Sequence, residues 1–565
     1  MKYKRITLLT GSVLFAFCLS CEKQGFLDQT VTSDLTEELV FSDSSYTIQF
    51  LNDIYRDIGF SEHPNRFGNG GLDAASDESR PQNSINVTTT VLFSSGTITA
   101  SSIANDAWVK SYANIRKVNL LLKNLPDVPM AITRKELVEA EARFLRAWYY
   151  AILVKHYGGV PIVGDTVYAF DDHIPAKRNT FAECVDYIVS ECDAVRNVLP
   201  YKQIRGEYGR AGGGSCDALK ARVLLYAASP LYNRANSNPL LGYTSEDRER
   251  WKLAADAAQR VITAGTGLYY LYEENNNPAG YSFYYLFTQR VNPEYIIARM
   301  QGNNKELEEI WQPPSRGAAK GGFPYQETVD AFGMQNGKSI NDPTSGYDPQ
   351  NPYANRDPRL AYTFIRDQTA IANNLGAIAP VNIYLLPNGT PSSQDAIYAG
   401  TPTGYYTNKM LNPEHAANFI HGGQRCFPLV RFAEILLNYA EALNEYEGPS
   451  EEVYNAVEAI RRRAGLNPYQ LPEDLSQEDM REWIRNERRV ELAFEGHRFW
   501  DVRRWMLGDT QNQQMHGMEV TRSNGEASYK VVPVDKHSFR PEMYYWPLPM
   551  SEVGKSPELE QNPGY

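Results

Sequence analysis

The chain has 565 residues, of which 42% are hydrophobic and 22% charged, and a mean hydropathy of -0.47, a balance that excludes a bundle of membrane-spanning helices. Acidic residues (68) outnumber basic ones (56), for a net charge of -12. That sign opposes non-specific attraction to phosphate backbones and argues against a nucleic-acid partner. Gly (40) and Pro (33) occur at ordinary frequency, so most of the chain should fold. The 37 tyrosines stand out, because a flat ring with a polar tip suits recognition of partly polar ligands.

From the amino terminus, Lys2-Tyr-Lys-Arg5 precedes an uncharged, mostly apolar run from Ile6 to Ser20. This is the layout of a secretory signal, and it falls short of the roughly 20 residues a bilayer span needs. The run ends at Ser20-Cys21, a small residue before cysteine, which is where a lipoprotein signal is cut and the new amino-terminal cysteine acylated. Cys18 departs from the usual leucine of that motif, and ordinary secretion with Cys21 free is the alternative. Cleavage would separate Cys18 from Cys21, so the apparent C-x-x-C binds no metal. Residues 1–20 therefore read as the signal peptide and 21–40 as a flexible lipidated tether.

Next comes helical periodicity. Trp108, Tyr112, Ile115, Asn119 and Leu122 form one stripe, and Ala140, Phe144, Ala147, Ala151 and Val154 a second. The short segment between them, with Pro126 and Pro129, predicts an antiparallel helix pair. Cys184 and Cys192 fall on one predicted helix, roughly 12 Å apart along its axis, too far to bridge. Further helices are predicted at about 180–199, 215–229, 247–264, 429–447, 451–464 and 478–506. Repeated pairs point to a solenoid-like scaffold, although no clean 34-residue repeat is visible. Residues 41–269 are thus an amino-terminal helical region. Residues 270–428, rich in Pro, Gly, Asn and Tyr, read as an irregular insert, the kind of segment on which binding usually resides. Residues 429–565 form a carboxy-terminal helical region packing on the first.

The densest cluster of ionisable groups is Glu487 to Asp501. Ile484, Glu487, Glu491, Phe494 and Arg498 share one helical stripe, which sets carboxylates in the register of apolar residues. Two such glutamates could be the acid and base of a glycosidase. The many arginines favour a buried ion-pair lattice instead, with Arg488, Arg498 and Arg503 as partners, because cations hold carboxylates ionised. Arg431, Glu434, Asn438 and Glu441 follow the same logic. Gly333-Met-Gln-Asn-Gly337-Lys338-Ser339 is one residue short of a phosphate-binding loop. No histidine pair has the i, i+3 or i, i+4 spacing of metal ligands, His415 and His421 read as surface loop, and no nucleophile elbow occurs. No catalytic set, metal site or cofactor is indicated.

Taken in order, these segments resemble the SusD/RagB-like outer-membrane lipoproteins of Bacteroidota. Cys21 with Phe26-Leu27-Asp28 looks like the family's acylated start. Trp108, Tyr112, Ile115 and Asn119 match its W-x3-Y-x2-I-x3-N helix, and Arg146-Ala147 with Tyr157-Gly-Gly-Val-Pro-Ile-Val163 its R-A…G-G-x-P segment. Similar too are Asn355-Arg-Asp-Pro-Arg-Leu360, Arg431 through Ala442, Arg461 to Gly465, Glu487 to Trp505, Trp546-Pro-Leu-Pro549 and Gln561-Asn-Pro-Gly-Tyr565. The resemblance implies a mainly α, tetratricopeptide-like helix-pair scaffold carrying a loop-rich ligand-binding insert. It also implies capture of a nutrient at the cell surface, a SusC-like TonB-dependent barrel as partner, and no catalysis. A glycan is the expected cargo, with a peptide as the alternative. Sugar rings are gripped by aromatic plates with polar groups at their edges, so Asp77, Arg80 and Asn83 in a polar loop, and Tyr281, Tyr284, Trp311 and Tyr325 in the insert, are the expected ligand-binding residues. Tyr285, Phe323 and Asn86 lie beside them.

Overall fold

The computed structural model describes residues 36–565 except 69, 83–87, 170, 275, 319–320, 413, 415 and 418–422. The signal peptide, Cys18, Cys21, Asn83, Asn86, His415 and His421 lie outside the described residues. Residues 37–40, assigned to the tether from sequence, belong to a short helix, Glu37–Phe41, whose first turn is capped by the Thr36 hydroxyl.

The expected helix pair forms as α1 (Asp106–Asn124) and α2 (Ile132–Tyr157). Its apolar stripes meet, and the one polar member, Asn119, is buried but satisfied: it donates to the carbonyls of Gly164 (2.9 Å) and Thr166 (3.0 Å) and accepts from Arg146. Helices α3 (Phe181–Val195), α4 (Gly213–Ala228) and α5 (Glu249–Ala264) add in turn, each packed on the one before. The chain then leaves the scaffold through the insert and returns as α6 (Phe432–Glu447), α7 (Glu451–Ala464) and α8 (Gln477–Glu491), with α6 laid against both α5 and α8. The helix layer is therefore closed by segments far apart in sequence. Cys184, Cys192, Cys216 and Cys426 are buried and free.

Two features differ from the expectation. The helix predicted over 478–506 is broken: α8 ends at Glu491, Phe494 (φ 60°) and Gly496 (φ 77°) take left-handed conformations, and a new short helix runs Arg498–Arg504. Glycine adopts such angles without steric cost, and the break turns Arg498 toward Asp77 (2.7 Å). After Arg504 the expected helical region holds only short turns of helix, such as Met550–Val553, and its main element is extended. Strands Gln514–Ser523 and Glu526–Lys536 form a long antiparallel hairpin, joined by Asn524 and Gly525, both at positive φ, the residue pair favoured by tight hairpin turns.

Within the insert the elements are short. Tyr295–Arg299 pairs antiparallel with Phe427–Arg431, and Ser79–Pro81 pairs with Gly321–Pro324, so the insert is stitched to both helical regions. Among the described residues no helix is long and apolar enough to cross a membrane.

Candidate functional site

Near its start the insert forms Tyr281-Ser-Phe-Tyr-Tyr285, a one-turn helix whose period sorts its rings. Phe283 and Tyr284 turn inward and are buried, while Tyr281 and Tyr285 stay half-buried at the surface, stacked on each other at 5.3 Å between ring centres and 19° between planes. Tyr362, from the helix Arg359–Thr363, stacks on Tyr284 at 5.3 Å and meets Tyr281 edge-on at 6.1 Å. Tyr272 extends the row, 6.2 Å from Tyr285. The result is a ladder of partly exposed rings, Tyr272, Tyr285, Tyr281 and Tyr362. Exposed Glu274 and Glu414 lie close enough to act on the Tyr281 phenol; burial first, then Tyr285 and these two carboxylates, raise its pKa. The Asn277 amide donates to Glu274 at 3.0 Å. Flat faces edged by hydroxyls, carboxylates and an amide are suited to a polyhydroxylated ring.

The ladder rests on the ion-pair lattice. Glu491 is 0% exposed: it accepts from Arg431 (2.7 Å), Arg359 (2.9 Å) and Arg463. Glu294 accepts from Arg431 (2.6 Å) and Arg463 (3.0 Å), and Glu495 from Arg431 and Lys409, both 2.7 Å. Burial alone would raise the Glu491 pKa, but Arg463, Arg431 and Arg359 outweigh it and hold the carboxyl well below its usual range. Phe283 covers this lattice, with Lys409 at 4.8 Å and Arg463 at 5.6 Å from its ring centre, so the inward face of the tyrosine helix sits on charged groups that cannot move independently. A lattice is present, as the sequence implies, but with different partners. Arg488 pairs with Asp501 (2.8 Å), Arg498 with Asp77, and Arg503 donates to the carbonyls of Met543 and Phe499.

These residues lie in a region with known relatives. A family model described as the SusD family matches residues 272–565, about half of the chain and all of the ladder and lattice. The chain belongs to the SusD family. A second model, described as "Starch-binding associating with outer membrane", matches residues 25–224. SusD-like protein P2 of Formosa agariphila is 24% identical over 489 residues, covering 81% of this chain and 80% of that protein. A SusD-like protein from Bacteroides fragilis NCTC 9343 superposes with a TM-score of 0.75 at 27% identity, covering 93% of this chain and 98% of the other. A SusD-like carbohydrate binding protein from the same organism shares the fold, with a TM-score of 0.72 at 23% identity over 92% of this chain and all (100%) of that one.

The expected ligand residues are not gathered at one surface. Trp311 is 1% exposed, its ring edge-on to Phe494 at 6.2 Å, so it packs the insert and presents no plate. Tyr284 and Tyr325 are also buried, with hydroxyls donating to the Leu411 carbonyl (2.7 Å) and to Asp535 (3.1 Å). Phe323 is buried too. Asp77 is enclosed: burial would raise its pKa, but Arg498 and then Arg489 hold it well below the usual carboxylate range. Arg80 is half-buried and engages Asp535 at 2.6 Å. Of the named aromatics, Tyr281 and Tyr285 remain at the surface. Tyr362 and Tyr272 were missed; their proximity to Tyr281 comes from tertiary packing of a segment 81 residues away in one case, and no periodicity signals it.

Proposed function

We propose that this SusD-family chain is a non-catalytic glycan-binding lipoprotein. It is anchored in the outer membrane by acylated Cys21, faces the cell exterior, and passes captured oligo- or polysaccharide to a SusC-like TonB-dependent transporter. The observation that carries the reading is the surface ladder of Tyr272, Tyr285, Tyr281 and Tyr362, held on a rigid ionic floor. Stacking platforms with polar rims suit sugar rings, whose C–H faces are apolar and whose edges are hydroxyls. The absence of catalysis is supported by the state of the carboxylates. General acid chemistry needs a carboxyl with a raised pKa at a cleft, whereas Glu491 and Glu495 are buried among cations that keep them ionised.

Native gel retardation of the mature chain through gels containing starch, laminarin, xylan, galactomannan or pectin, paired with a reducing-end assay of the same mixtures, tests this reading. Retardation by at least one polysaccharide without release of reducing ends is expected. Release of reducing ends, or retention by none, would contradict it.

A further inference from the structure

Against the helix Arg359–Thr363 lies a polar cleft of about 510 Å³, within the roughly 300–1,000 Å³ range of small-molecule sites. It lies between α8, the end of α7 and the loop from Gly333 to Asn341, so it includes the near-miss phosphate-loop sequence. Its wall carries Trp483, half-buried on α8 with the Arg461 guanidinium 5.1 Å from its ring centre. The lining also includes carboxylates (Asp330, Glu482), an amide (Asn486) and cations (Lys338, Arg489). Arg489 pairs with Asp77 at 3.5 Å, and its buried Nε–H has no partner among the described residues. Neither sign dominates the lining. An ion would meet opposing charges there, whereas a neutral polyol can donate to the carboxylates, accept from the cations and lay a face on the indole.

The cleft shares elements with the tyrosine ladder. Arg359 lines it, and Tyr362 is one turn along the same helix. Leu466 lines it, and the adjoining Gly465 touches Ala279, two residues before Tyr281. We propose that the Trp483 cleft is a second saccharide subsite, occupied by a further sugar unit of the same neutral glycan chain that lies on the tyrosine ladder. This rests on the glycan reading above and extends it: the protein selects for chain length, because short oligosaccharides reach one site and longer ones both.

The test is calorimetric titration of the mature chain with maltohexaose, cellohexaose, xylohexaose and mannohexaose and with the matching disaccharides. Trp483→Ala should weaken binding of the hexasaccharide that binds the unsubstituted chain by about 5- to 150-fold, the usual range for removing one aromatic anchor, and leave the disaccharide affinity unchanged. Asn486→Arg, at an exposed position, blocks the cleft without touching the core and should do the same, which guards against a folding defect in the tryptophan variant. Hexasaccharide affinity unchanged in both variants, with Tyr281→Ala still weakening it, would overturn the second subsite alone. Loss in the cleft variants with no effect of Tyr281→Ala or Tyr362→Ala would overturn the ladder as the primary site, and with it the two-site proposal. No binding of any of these probes would overturn both.

Discussion

Trp311 shows how a single residue can be misjudged from its neighbours in sequence. Gln312-Pro-Pro-Ser-Arg316 suggests an exposed loop, yet the indole is enclosed, with its Nε1 so close to Gly322 that a Cβ there would meet it at 2.8 Å. Trp311→Ala should therefore lower stability by about 3–5 kcal/mol, the cost of emptying a large buried site, and act on binding only through the fold; chemical denaturation measures this, and an unchanged midpoint would contradict the packing role. A second residue-scale case is the pair Asp73 and Glu78. Both are buried; Asp73 accepts from the Gly496 amide and Glu78 from that of Phe494, while Glu78 Oε2 has no partner among the described residues. Burial pushes Asp73 up to about 7, and burial with the adjoining Asp73 charge pushes Glu78 up as well. Unfolded carboxyls titrate near ~4, so above that pH the folded chain holds protons on these groups that the unfolded chain has lost. The stability this contributes is full below pH ~4 and is lost as pH rises through about 7. Glu78→Gln, whose amide cannot ionise, should flatten this fall between pH 5 and 8, the native chain losing up to ~1.4 kcal/mol per pH unit more than the variant. Parallel stability curves would contradict a raised Glu78 carboxyl.

Among the elements, most helices were legible because each carries an apolar stripe at the period of 3.6 residues, and Glu451–Ala464 ends at Gly465 in the left-handed conformation of a helix C-cap. The break after Glu491 was not legible as a break, since Phe494 and Arg498 stay in register with the stripe while the backbone reverses. The hairpin is legible in principle, because Asn524-Gly525 between alternating residues is a strong turn signal, but it lies within the stretch of 429–565 whose earlier part is dominated by helical periodicity. Of the groups that reach Glu491, Arg431 was legible as a buried charge beside the cluster, whereas Arg359 and Arg463 were not, because they arrive from separate elements with no shared spacing. That convergence gives the lattice its mechanical role, joining the insert to α7 and α8 beneath Phe283. Glu491→Gln removes the charge that faces three guanidinium groups and should cost about 3–5 kcal/mol of stability. Thermal melting checks this, and a variant with native stability but no ligand binding would assign Glu491 a direct functional part instead.

For the molecule as a whole, the family and the α architecture were readable from distributed motifs, whereas the candidate binding face was not. The scaffold's sequence is constrained by packing at regular spacing. The ladder is assembled by tertiary contacts between Tyr272, Tyr281, Tyr285 and Tyr362, and the cleft beside it by Trp483 and residues of the insert. At this scale the anchor is also testable: Cys21→Ser should move the protein from the membrane to the soluble fraction, and a variant that stays membrane-bound would contradict lipid tethering. The central claim, that a neutral glycan stacks on the tyrosine ladder, is tested most directly by calorimetric titration of the native chain and the Tyr281→Ala/Tyr362→Ala double variant with the polysaccharide that retards the native chain in gels. Removing two partly exposed rings should leave the melting temperature within a few degrees of native and weaken binding at least about 10-fold, with little dependence on salt because a neutral glycan has no charge to screen. Equal affinities for the native and variant chains, or an affinity that falls steeply with salt, would contradict it.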